Sequence, residues 1–104
     1  MKIVRVTYTA KAEYSEQNQR NIQQVMDDLK ALHSGNIRYS TTLAPDGVSF
    51  MHLTFFQSED DQQVLLGLPS FRYFQEQLRA NGLISPPKQE ILTLVGASWD
   101  IFGA

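Results

Sequence analysis

The sequence predicts an α+β domain in which a four-stranded antiparallel sheet carries two helices on one face. Three observations lead there. Runs rich in β-branched and aromatic residues open the chain, occupy its middle as a pair, and close it. Two intervening stretches repeat their apolar residues at helical spacing. The breakers Gly35, Pro45-Asp46-Gly47 and Asn81-Gly82 fall between these segments. With 104 residues and a formal net charge of −2, there is material for one domain over 1–104 and one modest core.

Lys2 to Thr9 is the first strand, because Val4, Val6 and Tyr8 alternate with Ile3, Arg5, Thr7 and Thr9. Ser15 then offers an N-cap with Glu16 in the first turn, and Ile22, Val25, Met26, Leu29 and Leu32 form a single apolar stripe. Ser34 and Gly35 are expected to end that helix, glycine closing it in the left-handed conformation. The second strand runs from Asn36 to Ala44. Pro45-Asp46-Gly47 suits a three-residue hairpin with a glycine bulge, which pairs Ala44 with Val48. That register sets Arg38 opposite Thr54, Ser40 opposite His52 and Thr42 opposite Phe50.

Ser58, followed by Glu59, Asp60 and Asp61, is a helix start by cap and dipole. Val64, Leu65, Leu68, Phe71, Phe74 and Leu78 continue one stripe to Asn81-Gly82. Pro69 interrupts it, which predicts a kink or two short helices with Ser70 capping the second. Leu83 to Pro87 is a loop and Gln89 to Trp99 the last strand. The order β-α-β-β-α-β is that of a ferredoxin-like fold. Its open sheet face is expected to carry Phe50 and apolar residues of the last strand, and the chain ends in Trp99, Ile101 and Phe102 with nothing left to cover them. An apolar surface of that kind predicts a homodimer with facing sheets.

The absence of cysteine excludes disulfides, thiolate metal sites and thiol nucleophiles. Two histidines without a matching ligand pattern argue against a metal site. No apolar run is long enough for a membrane span or a secretory leader, so no membrane partner and a cytoplasmic location are expected. An acidic chain with nine scattered basic residues lacks the footprint of a nucleic-acid binder. No phosphate-cradling loop, nucleophile elbow or dinucleotide fingerprint is present.

Among candidate site residues, His52 is the one histidine centred in a strand. Under the register above it shares a face with Ser40, Arg38 and Thr54. It reads either as a general base beside an anion-binding arginine or as a histidine that hydrogen-bonds inside a dimer interface. Tyr8, Tyr39, Tyr73, Phe55, Phe71 and Phe74 read either as the lining of a pocket for a planar apolar molecule between sheet and helices or as core. His33, in the last turn of the first helix, reads as a surface residue compatible with the helix dipole.

The whole chain resembles the dimeric α+β barrel superfamily, in particular the small proteins related to antibiotic biosynthesis monooxygenases. Leu68-Pro69-Ser70-Phe71-Arg72-Tyr73-Phe74 is similar to that family's second-helix segment, and Leu94-Val95-Gly96-Ala97-Ser98 to its closing strand. The resemblance implies a homodimer. It also implies an aromatic or quinone-like substrate held between helices and sheet, and oxidation without an organic cofactor or metal. Haem-degrading relatives carry a histidine ligand and a tryptophan on the second helix, and Glu59 to Ala80 holds neither. Of the residues that hold substrate in the monooxygenase relatives, Tyr73 alone is carried over. The other class of function compatible with the same sequence is a non-catalytic barrel that binds a ligand or a partner, such as a stress-associated protein.

Overall fold

In the structure, a computed structural model that describes residues 1–103, β1 (Lys2–Thr9) lies inside the sheet. It pairs antiparallel with β3 (Ser49–Phe56) on one side and with β4 (Lys88–Leu92) on the other. β2 (Ile37–Leu43) pairs antiparallel with β3, giving the order β2-β3-β1-β4. This is the ferredoxin-like α+β arrangement that the element order implies. Three helices cover one face: α1 (Ser15–Ala31), α2 (Glu59–Gly67) and α3 (Pro69–Gln77). The core lies between them and the sheet, where Val4, Tyr8, Phe50 and Phe56 meet Ile22, Val25, Leu65, Phe71, Phe74 and Leu78.

The break at Pro69 forms as expected. Leu68 is extended, Pro69 takes the first helical position, where its missing N–H costs nothing, and two helices result. α2 begins with a reciprocal capping box, in which Asp61 N–H donates to Ser58 Oγ (3.3 Å) and Ser58 N–H donates to Asp61 Oδ2 (3.1 Å). Ser70 does not cap α3, because Leu68 holds that position and the Ser70 hydroxyl is buried without a partner. α3 ends at Gln77, and a single π turn carries the chain through Leu78–Gly82. Val64, placed on the apolar stripe by its spacing, is in fact 44% exposed.

α1 departs from expectation at both ends. Ser15 lies inside the helix, with its hydroxyl donating to the Gly47 carbonyl at 2.6 Å, so it ties the helix to the β2–β3 loop instead of capping. At the other end His33, not Gly35, adopts the left-handed conformation, with φ of 52°.

The hairpin register is shifted by one residue from that expected. Ala44 N–H donates to the Ser49 carbonyl, so the loop has four residues, Pro45 to Val48. Asp46 is the cause. Its Oδ1 accepts from the N–H groups of both Val48 and Ser49 at 2.9 Å, which draws Val48 out of the ladder and into the turn. Thr41, not Ser40, therefore stands opposite His52, and Leu43 opposite Phe50. A one-residue slip exchanges the faces of β2. Ile37, Tyr39 and Thr41 consequently face the helices together with Phe50 and His52, and Arg38 faces away.

β4 stops at Leu92, well before Trp99, because its partner strand runs out: Leu92 pairs with Ile3, next to the first residue of β1. The stretch Leu94 to Ser98 is irregular, and Val95 is fully exposed. The chain then returns over the open face of the sheet. There Arg38 Nε donates to the Ile101 carbonyl (3.0 Å), Trp99 packs edge-on against Phe55 (6.3 Å), and Ile101 is buried. The expected exposed apolar face is thus partly covered by the chain's own tail, and Phe50 belongs to the core on the other side.

Candidate functional site

Between the sheet and the α2–α3 pair lies a cavity of about 370 Å³. Its floor comes from the helix-facing alternates of β1, β2 and β3, among them Val6, Tyr39, His52 and Thr54. Its roof comes from both sides of the Pro69 break, with Leu65 and Leu66 on α2 and Phe71, Phe74 and Gln75 on α3. Gln62, Arg79 and Gln89 add polar groups to a mostly apolar lining.

At the floor, His52 is 4% exposed and its ring is enclosed by Tyr8, Tyr39 and Phe74, with centroids at 5.3, 5.7 and 5.4 Å. Both ring nitrogens are engaged. Nε2 lies 2.8 Å from Tyr8 Oη; Nδ1 lies 2.6 Å from Tyr39 Oη and 3.1 Å from Thr41 Oγ1. Burial pushes the histidine from its ordinary 6.5 down to about 4, because the imidazolium would lose its hydration. The ring is neutral at pH 7. Burial likewise pushes the phenols of Tyr8 and Tyr39 well above the usual tyrosine value. All three groups are therefore uncharged hydrogen-bonding elements.

The donors can be ordered. Asn18 Nδ2 donates to Tyr8 Oη at 2.9 Å. If His52 Nε2–H also donated there, the Tyr8 proton would have no acceptor in a buried site. Tyr8 O–H therefore donates to Nε2, Nδ1 carries the ring proton, and it donates to Tyr39 Oη. The Tyr39 hydroxyl is left to donate to Thr41 or into the cavity that Tyr39 lines. The result is a directed relay from Asn18 through Tyr8 and His52 to Tyr39, ending at the cavity wall.

Asn18 was not legible as a site residue. It stands on α1 at the spacing of the buried stripe, four before Ile22 and seven before Val25, and is 0% exposed. A polar residue at a core position of an amphipathic helix is the signal that could have found it. Its Oδ1 has no partner; an unmatched buried acceptor of this kind costs about 1–3 kcal/mol.

Of the residues singled out from the sequence, the structure brings Tyr8, Tyr39 and His52 together. Arg38 lies on the opposite face of the sheet against Ile101, so the His52–Arg38 pairing does not form; the shift caused by Asp46 separates them. Tyr73 is 54% exposed on the outer side of α3 and does not line the cavity. Phe55 faces the tail, whereas Phe71 and Phe74 line the roof. Among the described residues no group of three or more histidine, aspartate or glutamate side chains is arranged to hold a metal ion. No helix among them is long and apolar enough to cross a membrane.

The fold is that of the antibiotic biosynthesis monooxygenases, within the ferredoxin-like α+β class. One solved structure of an antibiotic biosynthesis monooxygenase superposes with a TM-score of 0.76 at 9% identity, over 92% of this chain and 100% of that one. A Bacteroides thetaiotaomicron protein carrying the same family description reaches a TM-score of 0.82 at 10% identity, over 95% and 93%. SnoaB, a cofactor-independent oxygenase from Streptomyces nogalater, gives 0.68 at 15% identity, over 95% and 98%. No protein-family model matches the sequence, and no curated protein matches it.

Proposed function

We propose that the chain binds a small planar aromatic molecule in the cavity and oxidises it with molecular oxygen, without an organic cofactor or metal. The observation that carries this reading is the junction of a mostly apolar, aromatic-roofed cavity with a buried hydroxyl, Tyr39, backed by His52. Its volume falls at the lower end of the ~300–1,000 Å³ typical of small-molecule sites, which suits two or three fused rings. That the similarly folded SnoaB is a cofactor-independent oxygenase supports the oxygenase half.

The chemistry is that of an enolisable ring ketone such as an anthrone. Its enol hydroxyl donates to Tyr39 Oη, and in the tautomer that carries the ring proton on Nε2 the Tyr39 proton moves to the free Nδ1 of His52, leaving an enolate. An enolate beside His52 offsets the desolvation that makes the ring a weak base when the cavity is empty. The enolate passes one electron to O2, the two radicals join in a C–O bond, and the imidazolium gives its proton to the resulting peroxide anion to form a hydroperoxide. Loss of water gives the carbonyl. One oxygen atom ends in the product and one in water, and the CH2 group supplies all four electrons.

Oxygen uptake with quinols and anthrones tests the reading. One O2 consumed per anthrone converted to anthraquinone is expected, and His52→Ala should abolish it while leaving the chain folded. Absence of uptake across the set, with ligands bound in the cavity, leaves the non-catalytic binding barrel. We further propose that the chain is a homodimer paired through the open sheet face, where Leu94, Val95 and Trp99 are exposed beside the tail. Sedimentation at micromolar concentration should show twice the chain mass; a single-chain species refutes the pairing.

A further inference from the structure

The relay has one loose end, and it is at Asn18 rather than at the cavity. The amide uses its Nδ2–H toward Tyr8 and leaves Oδ1 without a partner in a fully buried position. Turning the amide over about its last torsion exchanges the two atoms: Oδ1 then meets Tyr8 Oη. Tyr8 must in that case donate to Asn18, and every bond along the chain reverses. Nε2 carries the ring proton and donates to Tyr8 Oη, Tyr39 O–H donates to Nδ1, and Tyr39 Oη presents a lone pair to the cavity. Both directions keep every side chain in place, differ at Asn18 only in whether Nδ2 or Oδ1 faces Tyr8 Oη, make the same number of hydrogen bonds and create no charge. The residue types permit this and few others would. A carboxylate at position 18 could only accept, an apolar residue could do neither, and an amide does both.

We propose that Asn18 is a positioning residue that sets the direction of the relay, so that the cavity offers a hydroxyl donor to a carbonyl ligand and an oxygen acceptor to a phenolic one. A site that oxidises the enol form of a ring ketone must hold an O–H donor at the start and a carbonyl at the end. Reversal of the relay accommodates both without moving a side chain in the cavity. For its ligand this rests on the proposed function; for the relay it does not.

The test is therefore made without a ligand, by recording the ring nitrogen resonances of His52 in 15N-labelled protein at neutral pH. These distinguish the nitrogen that bears the proton from the one that does not. In Asn18→Leu, which removes the only acceptor Tyr8 could turn to, the proton should sit on Nδ1. In Asn18→Asp, whose carboxylate accepts from Tyr8, it should sit on Nε2. The same tautomer in both variants overturns the proposal. A purely structural asparagine would not move the tautomer either way. Should Asn18→Asp fail to fold, Asn18→Leu is compared with the natural chain using two probes. Its affinity for 1,4-naphthoquinone should be unchanged and that for 1-naphthol reduced about fivefold, the equivalent of one hydrogen bond. Equal loss of both, or of neither, overturns the proposal.

Discussion

Protonating His52 should destabilise this protein as the pH falls from about 6.5 toward 4. The ring is 4% exposed, and burial moves it from its ordinary 6.5 down to about 4. Between those values the unfolded chain binds a proton that the folded chain refuses, so stability rises with pH there. It is fully present above about pH 6.5 and is lost as the pH falls toward 4. The gap corresponds to about 3 kcal/mol. With a urea dependence of about 1–2 kcal/mol/M for a domain of this size, the unfolding midpoint should fall by about 2 M between pH 7.5 and pH 4.5. Protein concentration must be held fixed, because any association makes the midpoint depend on it. His52→Gln can still hydrogen-bond to Tyr8 and Tyr39 but does not titrate, so its midpoint should be nearly flat over the same range. A natural chain whose midpoint is equally flat, or a variant with the same slope, refutes the claim that His52 is held neutral by burial.

Three further expectations follow from individual contacts. At Gly82 a Cβ would strike the Tyr14 ring, with Cε2 at 2.9 Å, so Gly82→Ala should cost about 1–3 kcal/mol in urea unfolding; a neutral substitution would mean the ring is free to move away. Asp46→Ala removes the carboxylate that gathers the Val48 and Ser49 amides, and their hydrogen exchange should quicken relative to the rest of β3. Hydrogen bonds to Ser49 and Val48 also hold the Asp46 carboxyl below its usual range, so the same quickening should appear in the natural chain as the pH falls through that lowered value. Tyr39→Phe should weaken 1,4-naphthoquinone binding about fivefold, as one hydrogen bond is lost, whereas Tyr73→Phe should leave it unchanged. Equal effects would place the ligand outside the cavity.

The sequence carried the element order, the helix start at Ser58 and the division at Pro69, because each is written in local chemistry: period, cap and ring. It did not carry the β2–β3 register. That depended on one carboxylate, Asp46, accepting two amides and lengthening the loop by a residue, a choice invisible to turn statistics for Pro-Asp-Gly. The whole face assignment of β2 followed from it. The expected register places Arg38 beside His52 and Tyr39 away from it; in the structure Arg38 lies behind the sheet and Tyr39 bonds to His52. The end of β4 was hidden for a different reason: a strand extends only as far as its partner, and β1 starts at Lys2. Asn18 is hidden because it extends the buried face of α1 N-terminal to Ile22 with a polar residue, where an apolar stripe gives no signal. The aromatic set was legible as residues, but its division between the cavity, the core and the open face required the fold.

The proposed ligand site is the cavity, with Tyr39, backed by His52, as its polar contact. Intermolecular nuclear Overhauser effects from bound 1-naphthol address that directly. Cross-peaks from its ring protons to Phe71, Phe74 and His52 are the predicted result. Cross-peaks confined to Trp99, Phe55 or Tyr73, all outside the cavity, would contradict it.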